Sequence, residues 1–244
     1  MRGRPEETDQ DLWRLVHVVR RRMPRRVLLL WTAAVIALAA IAFGIVWAAP
    51  LFAVKDVRVA GTSVLDPAEV ASAADDYLDQ SLLRADLGAI ASEVASQPAV
   101  KSVEVSRSWP SSIRIEVTER DPYLAVPSGG ETFLMVDSEG VVFDEVPELP
   151  ESIWNVELRE PGPDDLATVE TLKVLQSLPR DLADEVERVE TPSPAAVTLN
   201  LADGRILVWG DGSENDEKSR VATRLLESGY EHVDVSAPDA PTVS

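Results

Sequence analysis

Hydrophobic and polar residues follow three different patterns along the chain. The first is an uninterrupted apolar run over residues 27–49, VLLLWTAAVIALAAIAFGIVWAA, which holds no charged residue. A helix rises about 1.5 Å per residue, so this run reaches roughly 35 Å and exceeds a hydrocarbon core of about 30 Å. The pattern predicts one transmembrane helix over 27–49. A cleaved signal peptide is the alternative, but its apolar region is usually only about 7–15 residues long.

The second pattern, over residues 52–122, predicts a small domain in which two helices cover a three-stranded sheet. Asp66 begins the first helix, which continues to Tyr77, and apolar residues from Leu83 to Val94 recur at helical spacing in the second. Apolar and polar residues alternate in the strands. Strands of this kind are predicted over 54–61, 100–107 and 113–120. The order strand, helix, helix, strand, strand predicts an α+β domain.

The third pattern, over residues 123–236, predicts a mixed β-domain with at least two helices, followed by a flexible tail at 237–244. The predicted strands lie at 133–136, 141–143, 152–158, 197–201, 205–209 and 232–236, and the predicted helices at 162–175 and 214–229. Asp203 and Gly204 are a strong signal for a hairpin turn. Pairing across that turn is expected to place on one buried face Val197, Leu199, Leu201, Ile206 and Val208.

The net charge of −19 is divided unevenly along the chain. Residues 1–26 form a basic leader with eight arginines and four acidic residues. Residues 50–244 hold 15 basic and 38 acidic residues. Because arginine and lysine favour the cytoplasmic side of a membrane span, the leader is expected in the cytoplasm and the acidic domains outside the cell membrane. A bulk charge this negative excludes nucleic acid as the main partner.

The composition offers little for catalysis or for binding a cofactor. The chain has no cysteine and two histidines, which excludes thiolate sites and leaves few ligands for a metal. The common hydrolase motifs are absent, and the glycines are scattered rather than gathered into a phosphate-binding loop. We therefore expect a non-catalytic protein with no cofactor, metal or small-molecule substrate. A membrane-anchored cell-wall hydrolase stays open, because 38 acidic residues allow many carboxylate pairs.

Several short motifs occur in an order that resembles the FtsQ/DivIB family of bacterial cell-division proteins. Residues 107–110, RSWP, resemble the R-x-W-P turn of the family, and residues 117–122, VTERDP, resemble its V-x-E-R-x-P motif. Residues 136–140, VDSEG, resemble its V-D-x-x-G hairpin. The resemblance extends to Val59, Gly61, Pro98, Val100, Asp203, Gly204, Gly210, Lys218, Val233, Asp234 and Val235.

The resemblance implies both a fold and a function. Residues 52–122 would form a POTRA domain, and residues 123–236 would form the β-domain of the family. The protein would be a membrane-anchored scaffold of the divisome that helps to regulate septal cell-wall synthesis. Its implied partners are FtsB/DivIC-like and FtsL-like single-pass proteins and other membrane proteins of the divisome. Another kind of POTRA protein, which handles translocated chains, is the alternative.

Two of these motifs also have simpler structural interpretations. Glu119 and Arg120 are expected to fix the junction between the two domains. Arg107 and Trp109 are expected to form a turn, with the tryptophan in the core or at the domain junction. In these interpretations the residues stabilise the fold and contact no partner.

The resemblance implies that partners bind the last strand and the helix before it. A last strand at a sheet edge offers N–H and C=O groups that a partner strand can extend. Three basic residues of the helix are candidate electrostatic contacts, with an ordinary exposed helix face as the alternative interpretation. The expected partner-binding residues are Lys218, Arg220, Arg224, Tyr230, His232, Val233, Asp234, Val235, Ser236 and Ala237.

Overall fold

The computed structural model of the chain describes residues 25–48 and 52–244. The first range is a single helix of 24 residues, α1 (Arg25–Ala48). Large apolar side chains along α1 are between 59% and 70% exposed. Among the residues that the structure describes in full, no helix combines the length and hydropathy of a membrane span. The transmembrane helix therefore stays a prediction, and most of the expected leader, residues 1–24, lies outside the described residues.

The first domain has the predicted order of two helices and three strands. Its elements are β1 (Asp56–Ala60), α2 (Pro67–Ser72), α3 (Leu87–Ala95), β2 (Val100–Ser108) and β3 (Ser112–Glu119). The central strand β3 lies parallel to β1 and antiparallel to β2. Asp66 and Asp86 cap the two helices by accepting hydrogen bonds from backbone N–H groups of the first turn. The apolar faces of both helices and the sheet enclose one core.

The helix α2 is shorter than predicted, and α3 begins later. α2 ends at Ser72 and Leu83 lies outside α3, whereas the apolar spacing predicted helix in both places. The reason is tertiary hydrogen bonding, because the backbone between the helices pairs with the segment that precedes β1. Val54 N–H donates to the carbonyl of Gln80 over 2.9 Å, and Leu82 N–H donates to the carbonyl of Phe52 over 2.7 Å. Backbone groups engaged in this way cannot complete helical turns.

The second domain contains one mixed sheet and three helices. Its strands are β4 (Leu124–Pro127), β5 (Phe133–Val136), β6 (Val142–Val146), β7 (Trp154–Glu157), β8 (Val186–Glu190), β9 (Val197–Leu201), β10 (Ile206–Gly210), β11 (His232–Asp234) and β12 (Thr242–Val243). Its helices are α4 (Leu166–Ser177), α5 (Arg180–Ala183) and α6 (Asn215–Glu227). The order of the nine strands is β12-β11-β10-β9-β8-β7-β4-β5-β6. The strands β4 and β8 and the short helix α5 have no counterpart in the sequence prediction.

The three helices of the second domain share one core with one face of the sheet. Leu172, Leu182 and Leu226, one from each helix, belong to the same buried cluster as Val189, Leu199 and Leu207 of the strands. The molecule is therefore α+β in both domains, in agreement with the predicted class.

The register of the β9–β10 hairpin differs from the prediction by one residue. Leu201 N–H donates to the carbonyl of Arg205, so the turn between these residues contains three residues and ends at Gly204, whose φ is +90°. A one-residue change in register reverses which side chains face the core. Leu207 and Trp209 of β10 are consequently fully buried. Ile206 and Val208, which were expected in the core, lie on the opposite face.

The junction between the two domains depends on Arg120, which directly follows β3. Arg120 N–H donates to the carbonyl of Ala99, and its Nε donates to the carbonyl of Pro98. The guanidinium also forms an ion pair with Asp137 in the β5–β6 turn of the second domain. The Asp137 side chain is only 2% exposed. A second ion pair, Lys101 to Glu139 over 3.0 Å, crosses the same junction at the surface.

Hydrogen bonds decide the ionisation of Asp137. Burial acts to raise its pKa, but hydrogen bonds from Val141 N–H, the Arg120 guanidinium and Glu139 N–H outweigh burial. The pKa therefore lies below its ordinary value, and the carboxylate stays charged at neutral pH. The junction thus keeps its ion pair under physiological conditions.

Glu119, the neighbour of Arg120, organises the loop that follows β1. Its carboxylate accepts hydrogen bonds from the Ser63 hydroxyl and from the backbone N–H groups of Ser63, Val64 and Leu65. The Ser63 hydroxyl makes the largest contribution, and these bonds together lower the pKa of Glu119 from 4.5 to about 2. Glu119 therefore acts within the first domain, whereas Arg120 connects the two domains.

Replacing Glu119 is expected to destabilise the first domain in a pH-dependent way. A folded-state pKa of about 2, below the ordinary 4.5, stabilises the fold above pH 4.5, and this contribution is lost as the pH falls toward 2. We expect Glu119→Gln to lower the free energy of unfolding by about 1–2 kcal/mol at pH 7 and by less at pH 3. Urea unfolding of the detergent-solubilised chain at both pH values measures this difference.

The matched control is Glu116→Gln on the same strand. Glu116 forms an ion pair with Arg114 in which both side chains are about half exposed, so this substitution is expected to change stability by less than about 0.5 kcal/mol. Equal effects of the two substitutions at pH 7 would contradict the role assigned to Glu119.

Candidate functional site

The last strands of the second domain form the candidate site, and their arrangement differs from the expected open edge. β11 pairs in parallel with β10 on one side, where Leu207 lies opposite Val233. On its other side β11 pairs antiparallel with β12, where Val233 lies opposite Val243. The expectations that β11 is the edge strand and that all of 237–244 is a loose tail are therefore wrong. The tail is long enough to turn back at Ala237–Ala240 and add a short strand of its own.

The backbone of β11 has an inner and an outer row of hydrogen-bonding groups. Ile206 N–H donates to the carbonyl of Glu231, and Val235 N–H donates to the carbonyl of Val208, both over 2.9 Å. His232 faces the other way and exchanges two hydrogen bonds with Ser244, over 3.0 and 3.2 Å. Since backbone groups alternate along a strand, Asp234 lies in the same outer row as His232. Within the part of the chain that the structure describes, this row is covered by residues 242–244, which are β12 and the adjoining Ser244.

The side chains of β11 also alternate between the core and the surface. Val233 and Val235 are fully buried among Leu207, Trp209 and Leu226, so their side chains cannot meet a partner as expected. His232, Ser236 and Ala237 are exposed, Asp234 is half-buried, and Asp234 Oδ1 accepts a hydrogen bond from Ser236 N–H. Backbone groups and the few outward side chains thus make up the accessible part of this strand.

The preceding helix α6 brings two of its three candidate basic residues to the surface. Arg220 and Arg224, four residues apart, are both exposed on α6. Tyr230, between α6 and β11, is 39% exposed. Lys218 is fully buried, which contradicts both the expected electrostatic contact and the exposed helix face.

Lys218 instead links the start of α6 by hydrogen bonds to Asp211, the residue that follows β10. Its Nζ donates to the backbone carbonyl and to the carboxylate of Asp211, each over 2.9 Å. The Ser213 hydroxyl and Lys218 together lower the pKa of Asp211, so the ion pair persists at neutral pH. The sequence did not indicate Asp211, because an aspartate among 42 acidic residues carries no distinct signal.

Gly210 leaves room for the residues that follow β11. Its φ is +86°, and an added Cβ would lie 2.9 Å from Cβ of Ser236. A side chain at position 210 would therefore collide with the chain as it leaves β11. Gly210 and Lys218, both named in the resemblance above, thus have structural roles: Gly210 lies against Ser236, and Lys218 binds Asp211.

The described residues show no grouping suited to a metal ion. A cluster of three or more His, Asp or Glu side chains with ligand geometry does not occur in residues 25–48 and 52–244. The arrangement that the chain does offer is a row of backbone donors and acceptors on β11, preceded along the chain by the exposed Arg220, Arg224 and Tyr230. Such a row binds extended polypeptide.

Truncation of Lys218 is expected to destabilise the second domain. Lys218→Ala leaves the Asp211 carbonyl without its donor and removes a fully buried side chain, so we expect a loss of about 2–4 kcal/mol. Lys218→Met keeps most of the buried volume and is expected to cost less. Urea unfolding checks both values. Arg220→Ala, on the exposed face of the same helix, is the control and should change stability by less than about 0.5 kcal/mol; a comparable loss there would contradict this account.

Comparison with protein-family models gives two matches that follow each other along the chain. A model described as the POTRA domain, FtsQ-type, matches residues 52–120. A model described as the C-terminal region of the cell division protein FtsQ/DivIB matches residues 125–236. The boundary between the two matches falls at the Arg120 junction.

Known proteins similar to this chain include several cell division proteins named FtsQ. The FtsQ of Mycolicibacterium smegmatis is 36% identical over 218 residues, which are 88% of this chain and 64% of that protein. The FtsQ of Streptomyces venezuelae is 36% identical over 233 residues, 91% of this chain and 86% of that protein. The FtsQ of Mycobacteroides abscessus is 37% identical over 212 residues. On the strength of both domain matches and these relatives, the chain belongs to the FtsQ/DivIB family of cell division proteins.

Proposed function

We propose that the protein is a non-catalytic, membrane-anchored scaffold of the divisome at the septum. In this proposal it binds FtsB/DivIC-like and FtsL-like single-pass proteins and helps to regulate septal cell-wall synthesis. One observation carries the proposal: the outer row of β11 is built from regular strand backbone and is covered by only the three residues 242–244. A row of this kind is suited to a partner strand.

The properties of α1 support the proposed anchor. Its large apolar side chains, from Leu29 to Ile45, are well exposed along the helix and would be unfavourable in water. Arginines precede the helix, and residues 50–244 after it hold 38 acidic and 15 basic residues. This charge asymmetry supports a cytoplasmic N-terminus and domains on the far side of the membrane.

The proposed binding step is an exchange of strands. A partner strand would take the place of β12 and form hydrogen bonds with the outer N–H and C=O groups of His232 and Asp234. β12 is a weak competitor, because it is two residues long and has exposed side chains. A longer strand from a partner would make more hydrogen bonds along the same row and would displace it.

Exposed side chains of α6 and of the segment before β11 would contribute specificity. Arg220 and Arg224 offer two positive charges on one exposed helix face, which would favour a partner with acidic side chains there. Tyr230 offers a partly exposed aromatic ring at the start of β11. Rim charges of this kind affect the rate of association more than the final affinity.

The exchange of strands predicts opposite effects for two truncations. Removing residues 240–244 deletes β12 but keeps the buried valines of β11, so the affinity for an FtsB/DivIC-like partner is expected to rise about threefold to tenfold. Removing residues 230–244 deletes the whole row and is expected to abolish binding. Both chains, in lipid nanodiscs, are compared with the intact chain by titration with the purified partner.

The short truncation distinguishes exchange from simple addition. If the partner instead adds outside β12, removal of 240–244 would weaken binding, and the proposed exchange would be wrong. Retention of binding after removal of 230–244 would overturn the proposed site altogether.

A further inference from the structure

The end of the first domain that follows α1 carries an exposed aromatic pair. Phe52 packs edge-to-face against Trp109, with ring centroids 5.5 Å apart and ring planes at 83°. Trp109 lies in the turn between β2 and β3, and its side chain is 55% exposed. The expectation that Trp109 lies in the core or at the domain junction is therefore wrong.

Further apolar side chains surround this pair. The backbone of residues 78–82 pairs with residues 52–54, which brings Leu78, 41% exposed, and Leu83, 37% exposed, to the same end of the domain. We call Phe52, Leu78, Leu83 and Trp109 the proximal rim. Exposed charged residues of both signs, including Lys55, Asp79 and Arg84, lie in the same segments of the chain.

Arg107 connects the turn that carries Trp109 to the segment that carries Leu83. Its Nε donates to the carbonyl of Leu82 and its Nη2 to the carbonyl of Ala85, each over 2.9 Å. In addition, Lys55 N–H donates to the carbonyl of Ser111, which ties the segment after Phe52 to the turn that holds Trp109. The rim is therefore formed before any ligand binds and needs no rearrangement to present its apolar side chains.

The rim lies within a short reach of the end of α1. Ala48 ends α1, and three residues separate it from Phe52. Four steps of about 3.8 Å limit the distance between the two Cα atoms to roughly 15 Å. With α1 inserted as in the proposed function, on which this inference rests, the rim lies beside the headgroup layer of the bilayer.

The opposite end of the domain faces the second domain and leaves the rim free. β1 and β3 run in parallel away from the rim, and Arg120 joins the second domain directly after β3. Eight residues of β3 span about 26 Å. Contact of the rim with a membrane therefore leaves the β11 row accessible.

We propose that the proximal rim is a lipid-binding surface that seats in the interfacial layer of a phospholipid bilayer. Tryptophan favours this layer, where its ring contacts acyl chains and its N–H reaches water and headgroups. Leu78, Leu83 and Phe52 supply the apolar area around it. Contact between the rim and the bilayer restricts how the first domain tilts relative to α1. It therefore sets the distance from the membrane and the direction at which the second domain presents β11.

The absence of cysteine from the chain allows a direct test with single nitroxide labels. Leu83→Cys places a label on the rim, and Ile36→Cys places one in the middle of α1. Val64→Cys is the matched control, because Val64 is apolar, 82% exposed and lies beyond the far end of β1. The full chain is reconstituted in phosphatidylcholine vesicles, and the accessibility of each label to oxygen and to a water-soluble nickel complex is measured by power saturation.

The expected result is a ratio of oxygen to nickel accessibility at least about threefold higher at position 83 than at position 64. Adding Trp109→Ser to the Leu83→Cys chain is expected to lower that ratio toward the control, whereas adding Val64→Ser leaves it unchanged. A label at position 83 that is as accessible to nickel as the label at position 64 would overturn the proposal.

The label at Ile36 separates failure of the anchor from failure of the rim. An Ile36 label protected in the bilayer, together with an accessible Leu83 label, rejects the rim and keeps the anchor. An accessible Ile36 label rejects the anchor and the rim together. Dipolar broadening between Leu83 labels on two chains would show that the rim binds a second copy instead of lipid, which also overturns the proposal.

Discussion

The ion pair between Arg120 and Asp137 is the contact on which the arrangement of the molecule depends. It joins the end of β3 in the first domain to the β5–β6 turn of the second, and both side chains are largely buried. Arg120 also binds the carbonyl of Pro98, at the entrance to β2, so one guanidinium holds the two domains and the start of a strand. Loss of either partner would leave a buried charge without compensation, which is costly. The chain connects the two domains through one extended segment, and the ion pair turns that connection into a defined junction.

In the proposed function, this junction gives the chain a direction from the membrane to the partner-binding strand. The proximal rim, which includes Phe52, lies at one end of the first domain, and Arg120 lies at the other. β11 belongs to the sheet of the second domain, beyond Arg120. A different interaction matters in each part of the molecule. Exposed apolar side chains lie on α1 and the rim, a buried ion pair holds the junction, and backbone hydrogen bonds pair β11. The scaffold proposed above would use these interactions to position the β11 strand relative to the membrane.

Local patterns in the sequence predicted the elements that depend on local forces. The capping residue Asp66, the alternating strands of the first domain and the helix α6 all follow from residue spacing and were confirmed. The errors arose where tertiary contacts decide the outcome. A three-residue turn in place of a two-residue turn moved Ile206 out of the core, and Asp211 drew Lys218 inward. Nothing in the polar tail indicated that residues 242–243 would return to β11, because a two-residue strand has no periodicity to detect.

Binding through the backbone of β11, rather than through its side chains, is the central claim, and position 232 tests it most directly. The N–H of His232 points outward, away from β10, so His232→Pro removes an outer donor and leaves the bonds to β10 in place. His232→Ala removes the side chain and keeps the N–H. The measurement is the affinity of each full-length variant in nanodiscs for an FtsB/DivIC-like partner. The account predicts a loss of at least about tenfold for His232→Pro and less than about twofold for His232→Ala. Wild-type affinity in a folded His232→Pro variant, or equal losses in both variants, would contradict it.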